Sequence, residues 1–305
     1  MAGGVLAILG LVFGVLLAFA GGEALTRGTR RLFAGAAGMA ALGAVICSAL
    51  PEYAFAMRAS SIGLSGAAVG AVAGSLTANA FVAAVIAASN TSERPKGTGA
   101  FGLIAAVAAV VLIGVAFDGS IGRVEGGIML AAALVAAWQA SRLEVGEPGE
   151  PKGASRPAAA IGWFAFGVVL LLGGTWLAME QVKALSVGLP DRDLIIGLAA
   201  LGLGAALPEI VAAVSAVRRK EGPQALLNVL VGVSLVLFGA LGAAALVHPI
   251  AVAESFLRAP LVAVAVSAVL LLVLALRSKP LPRAAPAVGM VMYLAFLVAF
   301  LKVGG

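Results

Sequence analysis

Ten times along its length the chain runs through about twenty residues almost free of charge, each run closed by Pro, Gly or a cluster of polar residues. A run of that length matches the hydrocarbon thickness of a bilayer when helical, and helices are the open-ended way to satisfy backbone groups there. The runs fall near residues 4–22, 31–57, 63–90, 99–117, 124–141, 159–181, 192–217, 223–247, 257–276 and 284–303. With hydrophobic residues at 62% and charged residues at 11% of 305, the chain has too few charges to cover a soluble domain. Val5 to Ala20 is long for a cleavable leader and has no basic residues before it, so it reads as the first span.

Charge placement sets an orientation. Arg27, Arg30, Arg31, Arg94, Lys96, Arg142, Lys152, Arg156, Arg218, Arg219, Lys220, Arg277, Lys279 and Arg283 share one side. Arg58, Arg123, Lys183, Arg192, Arg258 and Lys302 share the other. The richer side is expected to be cytoplasmic, leaving both termini extracytoplasmic in the cell (inner) membrane. Basic residues that flank spans explain a net charge of +6 without nucleic acid. One Cys and one His leave no disulfide framework and no Cys/His zinc site. The absence of a Ser/His/Asp set, an HExxH and a phosphate-binding Gly loop argues against an enzyme.

The polar stretch Arg142 to Pro157 divides the spans five and five. The expected organisation is a first five-helix repeat over 1–142, a cytoplasmic linker over 143–158 and a second repeat over 159–305. An odd number of spans per half turns the second half upside down, the plan of many secondary transporters. The fold class is therefore all-α transmembrane, ten helices in two inverted repeats with broken helices at the midplane.

Internal similarity supports the division. GGEALTRGTRRLF (21–33) answers GGTWLAMEQVKAL (173–185), and CSALPEYAFAMRAS (47–60) answers GAALPEIVAAVSAVRRK (204–220). Each half places Leu-Pro-Glu inside a long apolar run. A carboxylate at membrane depth costs at least a few kcal/mol and usually faces a cavity. The proline before it removes an N–H and frees a carbonyl. Glu52 and Glu209 are thus the leading candidates to hold a cation between the halves. The competing reading, a glutamate snorkelling at a helix end, is weakened by the same tripeptide recurring at matching depth. Glu23 and Glu180 lie near expected span ends and read as interfacial.

These residues resemble the sodium/calcium exchanger (cation/calcium antiporter) superfamily, whose repeats carry G-T-S-x-P-E followed by G-N-x-x-G-S-N-x-x-[ND]. The resemblance covers about 21–90 and 173–250, and 189–230 is the closer block. It implies a secondary cation antiporter that exchanges Ca2+ or another cation for Na+ or H+ by alternating access. It also implies a cation site of Glu52, Glu209, Ser48, Ser75, Asn79 and Asn228. The partners would be inorganic cations and the lipid bilayer, and no resident cofactor is expected. Relative to the family pattern, the second half has Ala205, Ala206, Gly232 and Val236 where the first has Ser48, Ala49, Ser75 and Asn79; Ala71 stands opposite Asn228. Calcium takes six to eight oxygens, so this depletion points toward fewer ions per cycle and toward proton exchange. Two alternatives stay open: a drug/metabolite-type exporter with a roomy apolar cavity, and a transport-incompetent relative with an assembly or sensing role.

Overall fold

The computed structural model describes residues 2–33, 37–89, 95–143, 157–188, 191–257 and 259–277. The expected span at 284–303 and nearly all of the linker at 143–158 lie outside them. The rest is helical. In chain order it comprises α1 (Ala2–Leu32), α2 (Ala37–Ser48), α3 (Leu50–Ser61), α4 (Ser65–Ser89), α5 (Thr98–Asp118), α6 (Arg123–Ala140) and α7 (Pro157–Ser186). Next come α8 (Arg192–Ile196), α9 (Gly202–Ala205), α10 (Leu207–Arg218), α11 (Gly222–Leu235), α12 (Leu241–Val247) and α13 (Ala259–Leu276). Two π-helical segments, Gly197–Leu201 and Val236–Ala240, join α8 to α9 and α11 to α12. A two-residue antiparallel pairing of Ser120–Ile121 with Ile250–Ala251 ties the α5–α6 turn to the segment after α12.

Six continuous helical stretches among the described residues are long and apolar enough to cross a membrane. They differ sharply in position. The most apolar stretches of Ser65–Ala88 and Gly222–Val247 are 83% and 89% buried, whereas those of α1 and α7 are 28% buried. The 65–88 and 222–247 helices are therefore the heart of the bundle. On its flank, α1 and α7 expose Leu6, Leu9, Phe13, Val169, Leu172 and Trp176, side chains suited to lipid.

Glycine sets how closely α1 and α7 approach. A Cβ at Gly14 would strike the Ala178 backbone at 2.6 Å, one at Gly21 the Leu171 nitrogen at 2.4 Å, and one at Gly28 the Phe164 nitrogen at 2.9 Å. Partner numbers fall as α1 numbers rise, so the two helices are antiparallel, in backbone contact of the kind small residues permit in membranes. α4, by contrast, runs parallel to the α8–α9 stretch: Gly66, Gly70 and Gly74 meet Asp193, Leu194 and Leu198 in turn.

The helix limits correct the sequence reading at three places. The first span does not stop at 22 but runs as one helix to Leu32, and the sixth, expected over 159–181, extends to Ser186. Gly21 and Gly174 are packing positions between the two helices. The second span, expected from 31, begins at Ala37 instead.

Candidate cation site

Both Leu-Pro-Glu tripeptides open a new helix just after a break. Ala49 (φ −81°, ψ −8°) separates α2 from α3, and Ala206 (φ −77°, ψ −1°) separates α9 from α10. The cause is local: Pro51 and Pro208 have no N–H for the carbonyl four residues back, at Cys47 and Gly204. Each break leaves a glutamate in the first turn of the helix that follows, Glu52 in α3 and Glu209 in α10, where helix N-termini favour negative charge.

Glu52 is fully buried. Its Oε1 accepts a 2.9 Å hydrogen bond from Ser75 Oγ, which itself accepts from Asn79 Nδ2 at 3.3 Å. Ser75 and Asn79 lie one turn apart on α4 and so share a face. Their acceptor capacity is not used up: Glu52 Oε2 and Asn79 Oδ1 are buried with no hydrogen-bond partner among the described residues. A buried oxygen left unpaired costs about 1–3 kcal/mol, which a bound cation would recover. Thr77, in contrast, turns its hydroxyl back to the Ala73 carbonyl at 2.9 Å.

Glu209 sits at one end of a cavity of about 90 Å3 lined by α1, α2, α10 and α11. Ser48 and Asn228 line the same cavity. Ser48 donates to the Val45 carbonyl at 2.9 Å and interacts with the Glu209 carboxylate. Glu209 Oε2 is buried without a partner among the described residues, and Glu52 and Glu209 are near enough to feel one another's charge. The six candidate residues thus form two adjoining groups: Glu52, Ser75 and Asn79 in the sealed interior, and Glu209, Ser48 and Asn228 along the cavity. Among the described residues no group of three or more Asp, Glu, His or Cys side chains is placed to hold a metal ion by itself.

Three positions that are polar in the first half, Ser48, Ser75 and Asn79, are Ala205, Gly232 and Val236 in the second. Ala205 and Ala206 are completely buried. Val233 and Val236 border the small gap beside Ser75. At Gly232 there is room to spare, since an added Cβ would meet nothing within 4 Å.

Several contacts around the site had no signal in the sequence. Tyr53, beside Glu52, donates to the Leu235 carbonyl at 2.8 Å, immediately before the second π-helical segment, and its ring lies over Gly239. Arg58, in the last turn of α3, pairs with Glu180 of α7 at 3.5 Å. Asp193 Oδ2 accepts from the Ala67 N–H at 3.1 Å and so caps α4 from the other half. α1 and α7 run on past Glu23 and Glu180, to Leu32 and Ser186. Glu180 joins an ion pair between helices, and Glu23 lines the Glu209 cavity.

Residues 159–302 match the family model of the sodium/calcium exchanger proteins. The fold is similar to solved structures of the sodium-calcium exchanger NCX_Mj. For that protein soaked with 2.5 mM Na+ and 10 mM Sr2+, the TM-score is 0.63 at 19% identity, over 98% of this chain and 99% of that one. Soaked with 2.5 mM Na+ and 0.1 mM Ca2+, it gives 0.61 at 20% identity, over 98% of both. With zero Na+ and Ca2+ it gives 0.62 at 19% identity, over 97% of this chain and 99% of that one. No curated protein matches the chain.

Proposed function

We propose that this chain, a divergent member of the sodium/calcium exchanger superfamily, is a secondary cation antiporter whose passenger is held between Glu52 and Glu209. On this reading the architecture is ten helices in two inverted five-helix repeats. In its support, α1 and α7, which carry the matching G-G-x-x-L segments, are antiparallel, and both halves break a helix immediately before Leu-Pro-Glu. The observation that carries the functional reading is the buried oxygen pair, Glu52 Oε2 and Asn79 Oδ1, left without partners among the described residues and beside a second glutamate. A fully buried carboxylate beside another acid is stable when a cation or a proton neutralises it.

Ligand supply argues for a small passenger load. Two carboxylates with Ser48, Ser75, Asn79 and Asn228 fall short of the oxygens that several ions would need together. Backbone carbonyls freed at the two breaks and water would complete the shell of one cation. The counter-ion is Na+ or a proton, and Glu52 and Glu209 can take up a proton when the cation leaves. The cavity, about 90 Å3 and edged by carboxylates, gives no support to a drug-type exporter, whose sites run to several hundred Å3.

The test is flux in proteoliposomes with a panel of cations under Na+ and pH gradients. Wild type should exchange at least one of Ca2+, Na+, Mg2+ or Mn2+ against a gradient. Glu52→Gln and Glu209→Gln should each abolish exchange while eluting as wild type on gel filtration. Normal exchange by both variants would overturn the reading. Absence of exchange with every cation would favour the transport-incompetent relative instead.

A further inference from the structure

The polar groups of the cavity do not end with the candidate ligands. Glu23 and Thr26, both on α1, line it together with Glu209, Ser48 and Asn228, and it extends outward to Arg30 and to Glu221 in the turn between α10 and α11. The sequence at this point divides its tasks residue by residue. Gly21 presses against α7, and Gly22 packs against Pro51, where an added Cβ would lie 3.1 Å from the ring. Glu23 follows and reaches the cavity. Its charge acts on Glu209. Arg27, its i+4 partner, is 4.0 Å away and well exposed, a pairing too long and too wet to neutralise it. Thr26 Oγ1 and Glu209 Oε2 are both buried with no hydrogen-bond partner among the described residues.

The other half lacks this acid. In the matching G-G-x-x-L segment the position of Glu23 is held by Thr175, buried on α7 with its Oγ1 unpartnered. The position that matches Glu23 in the second half is therefore a neutral hydroxyl.

We propose that Glu23 is a specificity-determining residue of the passage: it captures the cation on the face bearing Arg30 and Glu221 and passes it to Glu209, so that the two faces differ in affinity. This inference rests on the antiporter reading above. A carboxylate bordering a partly hydrated cavity attracts a cation several ångströms away, and it acts on capture from its own side only. Glu52, sealed behind it, serves both directions.

The experiment measures half-saturating Ca2+ and Na+ for exchange in vesicles of defined orientation, with the ion supplied to one face at a time. Glu23→Gln should raise the half-saturating concentration roughly tenfold on the Arg30/Glu221 face and leave the opposite face unchanged. Glu23→Asp, which keeps the charge, should restore most of the affinity. An equal shift on both faces, a value equal to wild type on both, or loss of function in Glu23→Asp as severe as in Glu23→Gln would overturn the proposal. If Glu52→Gln and Glu209→Gln abolish exchange while Glu23→Gln is unchanged on both faces, Glu23 has no such role and the antiporter reading stands. Lack of any exchange by wild type would remove both.

Discussion

At the scale of single residues, the chain is a study in unequal halves. Glu52 keeps a hydroxyl and an amide within a turn of α4, Ser75 donating at 2.9 Å and Asn79 standing behind it. Glu209 has Ser48, borrowed from the first half, and Asn228. The positions where the family pattern calls for further oxygens are Ala205, Ala206, Gly232 and Val236, and the structure shows what each vacancy costs. The alanines and Val236 fill their space with carbon. Gly232 leaves room, since among the described residues an added Cβ would meet nothing within 4 Å outside its own stretch of helix. Gly232→Ser is therefore expected to fold normally and to tighten divalent-cation binding several-fold, about 1 kcal/mol for one added hydroxyl ligand. Unchanged or weaker binding, read by calorimetric titration, would show that this position does not face the passenger.

At the scale of helices, the breaks were legible and the π-helical segments were not. Proline before glutamate announces a break because its missing N–H is a covalent fact, and Ala49 and Ala206 indeed separate helices. The segment Val236–Ala240 has no such mark; the Leu235 carbonyl just before it accepts from Tyr53, 182 residues away. Gly239 lies under that ring and looks in the sequence like any other membrane glycine. The same limit explains the ends of α1 and α7. Gly21 and Gly174 look in the sequence like other membrane glycines, but they are where two backbones touch, and the helices run on past them to Leu32 and Ser186. Two substitutions test the Tyr53 contact. Tyr53→Phe should lower stability by about 1–2 kcal/mol through the orphaned carbonyl. Gly239→Ala should cost more, because its methyl would occupy the phenol. Thermal unfolding in detergent that ranks the two the other way would show that the contact does not shape this segment.

At the scale of the whole molecule, length and hydropathy announce membrane-spanning helices, six of which stand among the described residues, but they do not announce the packing order. Nothing in the sequence makes 65–88 and 222–247 the buried centre and α1 and α7 the flank, because all four are about equally apolar and lipid solvates them alike. The candidate ligands were legible as two sets at fixed spacing; that Ser48 would serve Glu209, across the halves, emerges only when α2 meets α10. The claim on which the rest depends is that the two glutamates, one from each half, hold a cation jointly. Isothermal titration of wild type, Glu52→Gln and Glu209→Gln with Na+, Ca2+, Mg2+ and Mn2+ tests it most directly. The account predicts saturable binding of at least one of these ions, near one per chain, in wild type and its loss in each single variant. Binding of the same ion with unchanged affinity and stoichiometry in either variant would contradict it.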